Sequence, residues 1–210
     1  AFLLVALDRL SRLRTGGGLS TRKRWVLQHN LFGVDQSAAA VRLTELRLWL
    51  AVVADDPAGH CDAVEPLPNL DCLIRQGDSL FDPLSSTAGV SLHAPELAHE
   101  LAGLRQAVVT ASGTEKRALV RKLRAVEARA MVQSLSAAEQ RIRSDVAECL
   151  GRARADDLFG HRRGLDRELQ ARLGHLRSEL RAVRQTRRRL ICEGEVPWFH
   201  YQSHFADVFA

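Results

Sequence analysis

A seam of leucines runs through the second half of the chain and limits how that half can fold. Leu119, Leu123, Val126 and Ala130 are separated by alternating steps of four and three residues. Leu135, Ala138, Ile142, Val146 and Cys149 continue the pattern after a phase shift. A second run holds Leu165, Leu169, Leu173, Leu176, Leu180, Val183 and Leu190. Apolar side chains at such spacing form one stripe on a helix, and two such stripes bury each other. Phe159-Gly160-His161, with Gly151 and Gly164 nearby, supplies a turn between the runs. The spacing predicts a long helical hairpin. Apolar residues make up 46% of the chain and aromatics only 5%, so the core must be built mostly of Leu, Val and Ala.

Charge follows the same division. Residues 93–190 hold 21 Lys/Arg and 12 Asp/Glu, whereas the remainder holds 9 and 13. A basic block beside a mildly acidic one points to a polyanion partner, or to a solvated arginine-rich helical surface. Arg184, Arg187 and Arg188 are the residues of this block expected to contact that polyanion. The alternative is that they are solvated or ion-paired.

The first half reads differently. Leu3, Leu7 and Leu10 share a helical face within residues 1–13, and Thr15-Gly16-Gly17-Gly18 ends that helix. Residues 30–34 form a short apolar run ending at Asp35, which predicts a buried parallel strand. Ser37 can cap a helix running to Val53. A Pro/Gly-rich loop follows. Cys72-Leu73-Ile74-Arg75 then predicts a second strand, ending at Gly77-Asp78. Strand, helix and strand with tight turns make an α/β unit. The aromatic stretch 196–210 predicts a return to strand.

Cys61, Cys72, Cys149 and Cys192 show neither C-x-x-C nor zinc spacing and read as reduced thiols of a cytoplasmic protein. No metal ligand set is expected. The apolar opening, residues 1–7, ends at Asp8 and Arg9 and is too short for a membrane span or a signal peptide. No membrane partner is expected, and the oligomeric state is not legible.

Two carboxylates are candidates for binding chemistry. Asp35, at the carboxyl end of a strand, is placed either to accept hydrogen bonds from vicinal ribose hydroxyls or to cap the next helix. Asp78, in Gly77-Asp78-Ser79, is placed either to accept from an adenine amine or to form an Asp-Ser turn. Gly77 would allow close backbone approach to a ligand.

Taken together, these sites carry a resemblance. Asn30-Leu31-Phe32-Gly33-Val34-Asp35, Leu46-Arg47-Leu48-Trp49-Leu50, Pro66-Leu67-Pro68-Asn69-Leu70-Asp71 and Gly77-Asp78-Ser79-Leu80 form one ordered series. The series closely resembles the adenine-specific DNA methyltransferases of single-chain, type IIG-like restriction-modification and phage-defence systems. The resemblance spans nearly the whole chain, and its specific parts are 30–50 and 66–81. It implies S-adenosylmethionine as cofactor, held by Asp35, Gln36, Asp78 and Ser79, and double-stranded DNA as substrate. The implied fold is α/β: a partial Rossmann-like S-adenosylmethionine-dependent methyltransferase core with a long helical-hairpin insertion. Residues 1–92 would be core, 93–190 the basic insertion, and 191–210 a return to the core.

The chain also departs from the family. Gln36-Ser37-Ala38 stand where an Asn-Pro or Asp-Pro is usual. The Asp-Pro-x-Cys-Gly-Ser-Gly cofactor loop and the catalytic Asn-Pro-Pro-Tyr are not in the sequence. The resemblance would put them just before residue 1 and just after residue 210, making the chain an internal fragment with no catalytic residue of its own. Two other classes compete. A nucleotide-dependent oxidoreductase would need a Gly-x-Gly-x-x-Gly loop, which Gly16-Gly17-Gly18 does not provide. A non-catalytic helical interaction module, or a degenerate methylase remnant, would need only the hairpin. The isolated chain is expected to transfer no methyl group: tritium from labelled S-adenosylmethionine should enter duplex DNA no faster than in a protein-free blank.

Overall fold

The computed structural model describes residues 2–58, 60, 63–80, 95–155, 164–193, 199–205 and 208. Among them are seven helices and two strands of three residues each. Helix α1, Phe2–Leu13, buries Leu7 and ends where Gly16 and Gly17 adopt positive φ (90° and 72°), conformations that cost glycine little. Helix α2, Leu19–His29, has no counterpart in the sequence reading. Its buried side combines Val26 and Leu27 with Lys23 and Arg24. Lys23 pairs with Asp55, and Arg24 with Asp56 at 3.1 Å, just beyond the end of the next helix. Two of the five buried residues of α2 are therefore cationic and a third is Ser20, and this hides the apolar period.

Strand β1, Gly33–Asp35, and strand β2, Ile74–Gln76, pair in parallel with Val34 opposite Arg75. Helix α3, Ala38–Val53, is the crossover between them. Ser37 starts it by accepting a hydrogen bond from the Ala40 amide at 3.4 Å. Strand, helix and strand thus form close to where the sequence placed them.

The α/β class, however, is overturned. Two three-residue strands do not make a sheet with two faces to cover, which is what a Rossmann-like core requires. Most of the burial is helix on helix. The tail departs from expectation too. Residues 201–204 form a short helix, α7 (Tyr201–His204), with the Phe205 amide donating to the Tyr201 carbonyl at 2.8 Å. Its aromatic rings pack on one another rather than alternating across a strand: Phe199 lies 4.3 Å from His204 and 5.0 Å from Phe205, centroid to centroid.

Helix α4, Pro95–Thr110, packs against the first half of α5, Gly113–Arg154. Asn69 fastens the end of α4 by donating to the carbonyls of Val108 (2.9 Å) and Ala111 (2.7 Å). At 42 residues, α5 is about 60 Å long. Helix α6, Arg167–Glu193, returns along it. The expected turn at Phe159-Gly160-His161 lies outside the described residues.

The hydrophobic interior has two parts, and α5 belongs to both. Leu123, Val126 and Ala130 join the first, with Leu7, Leu27, Leu48, Leu73 and Leu101. Met131, Leu135, Ala138 and Ile142 join the second, with Leu173, Leu176 and Val183 of α6. Leu165 is exposed and takes no part in the hairpin seam.

Strand β2 is tied to α5 by one ion pair. Arg75 donates to both carboxylate oxygens of Glu127, at 3.0 and 2.9 Å. Glu127 is buried and the Arg75 side chain retains 18% exposure. Removing one partner of a buried pair strands the other. Glu127→Ala should therefore cost about 3 kcal/mol, the low end of the range for buried pairs because Arg75 keeps some contact with solvent. Urea unfolding of E127A, R75M and the R75M/E127L double variant checks this. The double variant should recover most of the loss.

Candidate functional site

A cavity of about 830 Å³ lies beside the carboxyl ends of the two strands. That volume is in the range of small-molecule and cofactor sites, about 300–1,000 Å³. Gln36, Gln76, Gly77 and Asp78 line it from the strand ends, Val41, Arg42 and Glu45 from α3, and Arg124, Glu127 and Met131 from α5. Leu190 of α6 and His204 of α7 complete the wall.

The walls are polar, and many of their charges are matched. Arg42 donates to Glu45 at 3.1 Å and lies 3.8 Å from Asp71, which also meets Lys116. Burial raises the Glu45 carboxyl above its ordinary value, and Arg42 opposes the shift. Arg75 is spanned by Glu127. Apolar surface comes from Val41, Ile74, Met131 and Leu190. Such a cleft suits a polar molecule of nucleotide size with some flat apolar surface.

The candidates named from sequence separate here. Gln36 and Asp78 line the cavity. The Gln36 carbonyl accepts from the Gln76 side chain at 3.2 Å, which holds the two strand ends together. The Asp78 carboxylate accepts from the Leu80 amide at 3.0 Å, the turn geometry expected of an Asp-Ser step. Ser79 is half-buried next to it. Asp35 is exposed, and its carboxylate accepts from the Ser37 amide at 2.8 Å, leading the chain into α3. Gly77 does permit a close approach, but the neighbour is the protein itself: a Cβ there would lie 2.8 Å from Cβ of Phe199. The Phe199 amide donates to the Asp78 carbonyl at 2.9 Å.

Arg184, Arg187 and Arg188 lie on the hairpin, away from the cavity wall. Arg184 and Arg187 reach Glu139 of α5 at 2.9 and 3.3 Å, and Arg188 is exposed.

Sequence reasoning missed Arg75, Glu127 and His204. Arg75 did leave a signal, as a charge at the end of the apolar run Cys72-Leu73-Ile74. Glu127 left another, as an acid in the basic stretch 116–129 that flanks the seam. His204 left none.

Cys72 is buried under α4, and burial pushes its thiol up to about 11, so it stays protonated. Cys149 is buried and Cys192 exposed; both are free, and Cys61 lies outside the described residues. Among the described residues no group of three His, Cys, Asp or Glu side chains could hold a metal ion. No described helix is long and apolar enough to cross a membrane.

His204 is the cavity residue most shifted by its setting. Burial, reinforced by the Arg75 charge, pushes its ring down to about 3 from an ordinary 6.5. The unfolded chain binds a proton below 6.5 and the folded chain does not. Stability is therefore full above 6.5 and falls as pH drops towards 3, by up to about 1.4 kcal/mol per pH unit. Urea midpoints at pH 7, 6 and 5 should fall for the parent and stay flatter for His204→Gln.

No protein-family model, curated protein or solved structure matches this chain.

Proposed function

We propose that the chain serves methyl transfer from S-adenosylmethionine to the exocyclic amine of adenine in DNA, within a restriction-modification or phage-defence methyltransferase. The observation that carries this reading is the position of Gln36 and Asp78. Both follow the carboxyl ends of two parallel strands joined by a helix, and both line an 830 Å³ cavity. Ligands of strand–helix–strand units bind outside that end of the strands. Asp78 would accept from the adenine amine of the cofactor, and Gln36 would border its ribose. Asp35 is not among the residues lining the cavity; it precedes Gln36 in the chain, and one of its carboxylate oxygens accepts from the Ser37 amide. The cofactor would supply the electrophilic methyl group. This chain's residues would bind and orient it. The target base would have to leave the duplex to reach it.

Isothermal titration of the 210-residue chain with S-adenosylmethionine tests the reading. Asp78→Ala should weaken binding about ten- to a hundredfold, the loss of a hydrogen bond to a charged acceptor, roughly 1.5–3 kcal/mol. Asp35→Ala should do the same if its free oxygen meets ribose, and an unchanged Kd would assign Asp35 to the turn alone. Binding indifferent to Asp78 would refute the proposal.

A further inference from the structure

The two flanks of the α5–α6 hairpin carry very different charge. Helix α6 is buried along Leu173, Leu176, Val183 and Leu190. With 3.6 residues per turn, Arg177, Arg181, Arg184 and Arg188 fall together on one side of that seam, and all four are exposed. Glu139 identifies the same flank on α5, because its carboxylate meets Arg184 at 2.9 Å and Arg187 at 3.3 Å across the hairpin and Arg143 at 2.8 Å on its own helix. Among the described residues, six guanidinium groups thus share this flank with one carboxylate. The opposite flank is balanced. Arg141, Arg152 and Arg172 stand there with Asp145, Glu148, Glu168 and Glu179, and Arg152 pairs with Glu148 at 2.6 Å.

We propose that the flank marked by Arg177, Arg181, Arg184 and Arg188 is a docking strip for the sugar-phosphate backbone of duplex DNA. The proposal deepens the methyl-transfer reading by giving its substrate a place on the protein. From Arg177 to Arg188 the strip runs about 16 Å, with a guanidinium every turn. One DNA strand advances about 3.4 Å per phosphate, so a strip of that length spans several phosphates. Arginine stays charged and grips phosphate oxygens in pairs. The ion pairs divide the labour. Glu139 holds Arg184, Arg187 and Arg143 in place and joins the two helices, which leaves Arg177, Arg181 and Arg188 to reach outward. A surface this one-sided repels itself until an anion covers it. Helix α6 carries no Phe, Trp or Tyr, the side chains on which single strands stack, and this favours a duplex.

Fluorescence anisotropy of a labelled random DNA duplex against the 210-residue chain, without cofactor and across a salt series, tests the strip. Log affinity should fall with log salt by about 0.9 per phosphate contact. R177Q/R181Q/R188Q should flatten that slope by about two to three units. R141Q/R152Q/R172Q removes equal charge from the opposite flank and should leave it unchanged. Circular dichroism verifies helix content, and the single variant R188Q, expected to flatten the slope by about one unit, serves if a triple variant loses helix. Equal slopes for parent and strip variant overturn the proposal. So does equal flattening by both triples, or tighter binding of an RNA duplex at the same slope. Since no cofactor is present, these outcomes are independent of the S-adenosylmethionine titration.

Discussion

The bidentate contact between Arg75 and Glu127 is the interaction on which the arrangement of this chain depends. A pair of three-residue strands is too small to persist by its own hydrogen bonds. The pair is held because Arg75, opposite Val34 in the register, reaches sideways to a buried carboxylate on α5. Removing two charges from water is tolerated only when geometry and hydrogen bonding are nearly complete, and a fork-to-fork contact meets that condition. Helix α5 is then fixed relative to the strand ends. Its first half closes one interior with Leu123 and Val126, and its second half builds another with Leu135 and Ile142. The cavity is the space left between the strand ends and the helix that Arg75 holds beside them.

Much of this was legible locally and little of it globally. Helix α3 and the strands are marked by the Ser37 cap and by short apolar runs before Asp35 and Gly77, whereas helix α1 and the hairpin announce themselves by periodicity, because each turns an apolar stripe to a neighbour. Helix α2 does not, since Lys23 and Arg24 occupy positions where a leucine would have marked the face. The α/β reading failed for a related reason. A strand's pattern shows that a strand forms, whereas the number of strands that pair with it is a property of the folded whole. The tail misled in the opposite way: its aromatic residues suit a strand, but Phe199 and Phe205 serve each other across a helical turn.

The candidate site divides along the same line. Strand ends are recognisable from sequence and pointed to Asp35 and Asp78, of which Asp78 lines the cavity; Gln36 came from the resemblance and lines it too. Glu127 lies 52 residues from Arg75 and His204 lies in the tail, so only folding brings them to the same wall. The arginines illustrate the limit within one element. Spacing on α6 shows which side chains share a flank, but not that Glu139 on the facing helix engages two of them and not their neighbours.

Gly77 and Phe199 meet where the tail crosses the strand end, with room for a hydrogen and none for a methyl group. Two positions 122 residues apart in sequence are therefore constrained as one. A side chain at 77 would meet Cβ of position 199, which any residue but glycine carries, so the backbone of the tail would have to move and the stacking of Phe199 on His204 would move with it. Position 77 is held to glycine for as long as position 199 carries a side chain of any kind.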